Sequence, residues 1–158
     1  IDELKKQIGE DVRTEVIKLC KERFKKDFNV VSGNDTYSRF SQVWLKFKNH
    51  ESANLFFGIE SFSHIHDYSM RVGILNNGGG TINYNFGEYS EETWWPYFSM
   101  IEDFEGLNVF FNDTKTLEKL YFDKVFKSRF AIHLVDELER FVNIYKTSLL
   151  EYLDNQKG

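Results

Sequence analysis

The chain has 158 residues, 17% of them aromatic and 28% charged, and its formal net charge is −5 at pH 7. A chain of this length fits one domain with a sizeable core, and its acidic balance opposes binding to nucleic-acid phosphates over most of the surface. Its one cysteine, Cys20, excludes an internal disulfide and a cysteine-based zinc site and favours a reducing compartment, so we expect a cytoplasmic protein.

Residues 2–28 are predicted to form one amphipathic helix. Apolar side chains recur there at spacings of three and four, which stacks them on one face. Acidic Asp2 and Glu3 in the first turn and basic Lys25 and Lys26 in the last turn suit the helix dipole. The predicted core face consists of Leu4, Ile8, Val12, Val16, Leu19, Cys20 and Phe24.

The middle of the chain is predicted to form antiparallel strands. Residues 43–48 alternate between apolar and polar side chains, which is typical of a strand with one buried face, whereas residues 55–62 are apolar on both faces. Residues 68–75 and 81–86 are predicted to pair as a hairpin around a glycine-rich loop, and residues 107–111 to form a short edge strand. These connections are too short for parallel crossovers, so we expect a meander.

The C-terminal part of the chain is predicted to be helical. It follows a segment, 87–106, that is expected to be irregular or briefly helical. Asp113 or Thr114 is expected to cap a helix that runs to about residue 154, and the pattern allows a break near residues 127–128.

This order of elements predicts the fold class. We expect an α+β domain in which an antiparallel meander of four or five strands is packed by a long N-terminal helix and one or two C-terminal helices. Residues 1–158 should form one domain, with an interior filled by rings and no polar cluster forced together inside. The longest apolar runs are far too short for a membrane span. Because the first residue is Ile1 and not Met, we expect the chain to be part of a longer protein.

No motif in the sequence identifies a catalytic or metal site. His64 and His66 have strand-like spacing, but the sequence identifies no third convergent ligand. The glycines at 78–80 lack the lysine and the following helix of a phosphate-binding loop, so a hairpin turn is the better interpretation. We therefore predict no catalytic residue, no metal and no cofactor. An enzyme with an unrecognised carboxylate or histidine site remains the alternative.

The aromatic segment 94–98 is the first candidate for a binding surface. Its adjacent rings, which include Trp94, Trp95 and Tyr97, cannot all face the core. Exposed rings bind sugars, bases or partner side chains. The alternative is an aromatic plug that closes one end of the sheet. Trp44 lies on the polar side of its strand, and we expect it either to meet this segment or to lie under a helix.

The end of the first helix is the second candidate. Lys18, Lys21 and Lys25 fall on one face of that helix, where they could contact nucleic-acid phosphates or simply form its solvated side. The partner would be a protein or a nucleic acid, reached through a longer parent chain. Self-association into a homodimer through exposed rings is a further alternative.

One stretch of the chain resembles a known group of proteins. The strings QVWLKF (42–47) and LFFGIE (55–60), followed by a tryptophan-rich segment and a long terminal helix, are similar to the C-terminal, non-catalytic region of bacterial PD-(D/E)XK nuclease-like proteins. The likeness covers residues 37–150. It implies a non-catalytic binding or structural accessory domain of a bacterial nuclease-like or defence protein, with the catalytic carboxylates and lysine upstream.

Overall fold

The computed structural model describes residues 2–65, 69–78, 82 and 94–157. In this part of the chain it contains three helices and five strands. In chain order they are α1 (Asp2–Arg23), β1 (Phe28–Val31), β2 (Gln42–Phe47), β3 (Leu55–Glu60), β4 (Arg71–Asn76), β5 (Tyr97–Met100), α2 (Thr114–Phe122) and α3 (Lys124–Lys157).

The strands form one antiparallel sheet in the order β1-β2-β3-β4-β5, so each strand pairs with the next one along the chain. The helices pack against one face of this sheet, which we call the inner face. The predicted α+β class is confirmed, as are the antiparallel meander, the long N-terminal helix and the C-terminal helices.

The main core lies between the helices and the inner face. Phe57 of β3 is fully buried at its centre, and its ring centroid lies 5.9 Å from that of Phe28, 6.1 Å from that of Phe47 and 6.2 Å from that of Phe141. Cys20 is buried in the same core, and burial raises the pKa of its thiol to about 12. As predicted from its position on the apolar stripe, Cys20 packs as a small apolar side chain.

The first helix is shorter than predicted. α1 ends at Arg23, and Phe28 begins β1 instead of ending the helix. Phe28 pairs with Phe47, and the two ring centroids lie 4.6 Å apart. The apolar spacing near Phe28 suits a helix or a strand, and pairing with β2 decides between them. Leu4, predicted for the core face, is exposed, because the buried part of α1 begins only at Ile8.

The structure has β5 where the sequence predicts an irregular or helical segment. β5 pairs with β4 and places Phe98 opposite Gly73. A Cβ atom at Gly73 would lie 2.4 Å from the carbonyl oxygen of Tyr97, so the missing side chain allows the close approach of β5. The predicted strand 81–86 lies outside the described residues except for Ile82, which belongs to no strand.

The predicted edge strand at 107–111 is wrong. This stretch contributes only one isolated bridge, between Phe104 and Leu107. Val109 and Phe111 are nevertheless buried in the main core, which explains the alternating pattern that suggested a strand. Irregular backbone thus presents the same spacing of buried side chains as a strand would.

The C-terminal helices begin where the sequence predicts but break earlier. Asp113 caps α2, because its carboxylate accepts a hydrogen bond from the backbone N–H of Thr116 at 3.1 Å. Asp123 ends α2, and its carboxylate accepts from the N–H of Phe126 at 2.9 Å, so the break lies at this capping residue and not near 127–128. None of the helices in the described ranges combines the length and the apolar character that crossing a membrane requires.

Candidate functional site

Three polar side chains lie side by side on the outer face of the sheet, away from the helices. Strand alternation directs Gln42, Glu60 and Arg71 to this face, because their neighbours Val43, Ile59 and Val72 belong to the main core. The register then pairs Gln42 with Glu60 and Glu60 with Arg71 across three adjacent strands. All three are buried, and Glu60 is only 1% exposed.

These side chains form a hydrogen-bonded network. The amide Nε2 of Gln42 donates to Oε1 of Glu60 at 2.6 Å, and Nε1 of Trp44 donates to Oε1 of Gln42 at 2.8 Å. The Nε atom of Arg71 lies 4.0 Å from Oε2 of Glu60. The contacts of the Gln42 amide on both sides fix its orientation. The sequence-based expectation of an interior without a polar cluster is therefore wrong, because strand register joins residues that are distant in the chain.

An aromatic layer lies beside this network. Trp95 packs with Phe56 and Leu75 in a second, smaller apolar cluster, and the ring of Trp44 lies 5.0 Å from that of Phe56 between centroids. Gly58 lies beneath Trp95: a Cβ atom there would be 3.4 Å from the indole ring. The outer face thus combines a wall of rings with a row of buried polar groups.

The network and the rings border a cavity of about 520 Å³, which we call the outer pocket. Its size lies within the range of small-molecule sites. Two rings at its rim are half exposed, Trp94 by 54% and Phe40 by 50%. Glu60 is the only charged side chain among the described residues that line it. The lining residues are Asn34, Phe40, Gln42, Glu60, Leu75, Asn77, Trp94 and Trp95.

The backbone turns sharply beside the buried carboxylate. Ser61 follows Glu60 directly and has φ 92°, a conformation that side-chain-bearing residues rarely adopt. Its N–H donates to the carbonyl oxygen of Ser41 at 2.9 Å, which holds the end of β3 against the residue before Gln42. Such conformations cost free energy and cluster at functional sites.

The structure divides the predicted aromatic segment among three locations. Trp94 lies at the rim of the outer pocket, and Trp95, 3% exposed, forms its wall. Tyr97 does not join them: it is buried in the main core on the inner face, with its ring 6.2 Å from that of Tyr145. Strand alternation in β5 turns Tyr97 inward, away from the outer pocket, and its role at a binding surface stays a prediction. Trp44 packs against the smaller apolar cluster that contains Trp95. This contact confirms the expectation that Trp44 meets the aromatic segment and does not lie under a helix.

The predicted lysines lie elsewhere. Lys18, Lys21 and Lys25 are exposed, as expected for the solvated side of α1. Lys21 and Lys25 line a shallow groove along β1, together with Lys48 and Glu51. None of them lines the outer pocket. That these lysines contact a partner stays a prediction.

Sequence patterns alone did not indicate five of the residues that line the outer pocket, namely Asn34, Phe40, Gln42, Glu60 and Asn77. The sequence does contain one signal for Glu60, because this residue ends a strand that is otherwise apolar on both faces. A carboxylate is almost never fully buried unless it is paired, so a polar partner for Glu60 could have been predicted. Nothing local to the chain indicates that Gln42 lies beside it. The other three come from loops or from the end of β4, where periodicity carries no information.

Histidine and the other metal-binding side chains do not converge in the described ranges. No group of three or more His, Cys, Asp or Glu side chains there could hold a metal ion. His64 is buried, and burial lowers the pKa of its ring, while His66 lies outside the described residues. Gly78 has φ 133°, as a turn after β4 requires, and residues 79–80 are not described.

Comparison with protein-family models, with curated proteins and with solved structures finds no match to this chain, so its site is interpreted from its geometry alone.

Proposed function

We propose that this chain is a non-catalytic binding domain and that its ligand enters the outer pocket. The observation that carries the proposal is a buried carboxylate, Glu60, lining a cavity with half-exposed rings at its rim. Burying a charged group costs free energy even when it is paired, and apolar residues on this face would stabilise the fold at least as well. Hydrogen bonding between these buried polar groups and a ligand would explain why the protein keeps them despite their cost in free energy.

The composition of the pocket supports binding over catalysis. Its described lining contains amides, rings, one aliphatic side chain and a single carboxylate. Nucleophilic catalysis requires a nucleophile beside a base, and two-carboxylate mechanisms require a second acid. The carboxylate present accepts a hydrogen bond from Gln42 and lies near Arg71, which suits it to hold a ligand in one orientation.

The biological setting belongs to the same proposal. We place the chain in an accessory domain of a cytoplasmic nuclease-like or defence protein, the setting that the proposed resemblance of β2 and β3 to the C-terminal region of bacterial PD-(D/E)XK nuclease-like proteins implies. In that setting the pocket recognises a ligand, and another part of the parent chain performs the chemistry. The sequence of the parent protein tests this directly: absence of an upstream Asp and Glu-x-Lys pattern on predicted strands would count against it.

A screen of small polar ring compounds by ligand-observed NMR tests the binding function. We expect hits whose affinity falls about tenfold in Trp94→Ala, because the variant removes a rim ring that supplies stacking. Trp94 is half exposed, so the substitution leaves the fold intact. The matched control is Phe122→Ala, which removes a ring that is 79% exposed on α2, away from the pocket. Absence of hits, or hits that bind Trp94→Ala equally well, would refute the proposal.

Self-association is a second candidate, favoured by one observation. Tyr121, Phe122 and Val125 are exposed close together where α2 meets α3. Large apolar patches on a surface often mark interfaces between proteins. Light scattering should then give twice the 18.8 kDa mass of the chain, and Phe122→Ser should return it to a monomer. A monomeric mass for the wild-type chain at high concentration would eliminate this candidate.

A further inference from the structure

We infer that the ligand of the outer pocket is a neutral carbohydrate, an inference that rests on the proposed function. The pocket combines exposed ring faces, side-chain amides and a carboxylate whose charge is offset by a neighbouring arginine. Each of these features selects against a different class of ligand. The ligand that fits all three features is a ring with one apolar face and hydroxyl groups along its edge.

The aromatic rings at the rim of the pocket favour a ligand that has an apolar face. Trp94 and Phe40 are both about half exposed on the cavity. An aromatic face carries partial negative charge, and the C–H bonds of a sugar ring carry partial positive charge, so the two pack together favourably. A sugar ring is apolar on such a face and polar at its edge, which matches a cavity lined by both aromatic rings and polar side chains.

The polar side chains that line the cavity favour a ligand with hydroxyl groups. In Gln42 the carbonyl oxygen accepts from Trp44 and one N–H donates to Glu60, which leaves its second N–H to donate. Asn34 and Asn77 add amides that both donate and accept. A hydroxyl group also does both, so neighbouring hydroxyls satisfy a mixed set of donors and acceptors, whereas a group that only donates or only accepts does not.

Charge selects against ionic ligands. No Lys or Arg lines the cavity in the described ranges, so an anion such as a nucleotide phosphate would find no cationic side chain there to pair with. A cation would approach Glu60 next to Arg71, whose Nε lies 4.0 Å from the carboxylate, and the guanidinium would repel it. A neutral ligand avoids both penalties.

Titration of the purified chain with a defined panel tests this inference. The panel contains neutral mono- and disaccharides, glucuronate as an anionic sugar, adenosine and guanosine as nucleosides, and arginine as a cation. All three tryptophans, Trp44, Trp94 and Trp95, lie at the outer pocket or directly beside it, so their fluorescence reports binding, and calorimetry checks the affinity.

We expect a neutral saccharide to bind, and glucuronate to bind at least tenfold more weakly than the matching neutral sugar. The affinity for the neutral sugar should change less than twofold between low and high salt, because no ion pair forms. Trp94→Ala should reduce that affinity at least tenfold and Asn77→Ala about fivefold, whereas Phe122→Ala should leave it within twofold.

The possible results distinguish a failure of the carbohydrate inference from a failure of the proposed binding function. If a nucleoside, glucuronate or arginine binds best and Trp94→Ala abolishes that binding, the carbohydrate assignment is wrong and the pocket remains a binding site. If a saccharide binds but Trp94→Ala and Asn77→Ala leave its affinity unchanged, the assignment to the outer pocket is wrong. If nothing in the panel binds, both the inference and the proposed function fail.

Discussion

Gly9 lies where α1 packs directly against the backbone that follows β3. A Cβ atom at this position would lie 2.3 Å from the carbonyl oxygen of Phe62, which is backbone and cannot rotate away. Glycine inside a helix costs about 1 kcal/mol relative to alanine, so helix propensity alone favours a larger residue there. Because the helix packs so closely against the backbone that follows β3, glycine is nevertheless the residue that fits at this position.

We therefore expect Gly9→Ala to destabilise the protein. The free energy of unfolding, measured by urea denaturation, should fall by about 1–3 kcal/mol, because the added methyl group forces α1 away from Phe62. Thr14→Ala, on the exposed side of the same helix, is the control and should stay within about 0.5 kcal/mol of the wild type. Equal or greater stability of Gly9→Ala would show that the helix adjusts at no cost.

Asp113 shows what a single cap contributes to an element. Its carboxylate accepts hydrogen bonds from the Asn108 side chain and from the Thr116 backbone, and these hold its pKa below the ordinary value of 3.8. In the unfolded chain the carboxyl group binds a proton at higher pH than in the folded one. The stability contributed by the ionised cap is therefore present above the unfolded pKa and is lost as pH falls through the folded pKa.

Asp113→Asn separates the charge of this cap from its hydrogen bonding. Asparagine caps helices about as well as aspartate, so at neutral pH the two proteins should differ by less than about 1 kcal/mol. Between about pH 5 and pH 3 the wild type should lose more stability than the variant, because only the wild type must protonate this cap on unfolding. Thermal denaturation over this pH range measures the difference. Parallel curves for the two proteins would contradict the assigned role.

Among the elements, length decides which ones could be predicted. α1, β2 and α3 span several periods of their apolar pattern, and β3 is a continuous apolar run of strand length, so the sequence predicts each of them. β1 and β5 have four residues each, which is too short for a two-residue period to stand out from other arrangements. Both lie at the edges of the sheet, where pairing with a neighbouring strand decides the conformation.

At the scale of the whole molecule, the described part of the chain is built around one sheet with an apolar cluster on each side. The main core joins the helices to the inner face, and the smaller cluster holds Trp95 against the outer face. Residues of both clusters alternate along the same strands, as Phe56 and Phe57 do in β3. Loss of one cluster should therefore disrupt the other.

This arrangement predicts one cooperative unfolding transition. Far-UV circular dichroism follows mainly the helices on the inner face, whereas tryptophan fluorescence follows the outer face, where all three tryptophans lie. Both signals should change at the same urea concentration, because small single domains unfold as one unit. A fluorescence change that clearly precedes the loss of helix would show that the outer layer unfolds independently.

The sequence by itself determined the long helices, the central strands and the antiparallel meander, because each follows from periodicity and connection lengths within a short stretch of chain. Only the tertiary structure decided where the outer pocket lies. Strand register brings Gln42, Glu60 and Arg71 together, and the approach of β5 divides one aromatic segment between a rim, a wall and the core. Register and edge pairing depend on contacts between distant residues, for which local patterns carry no signal.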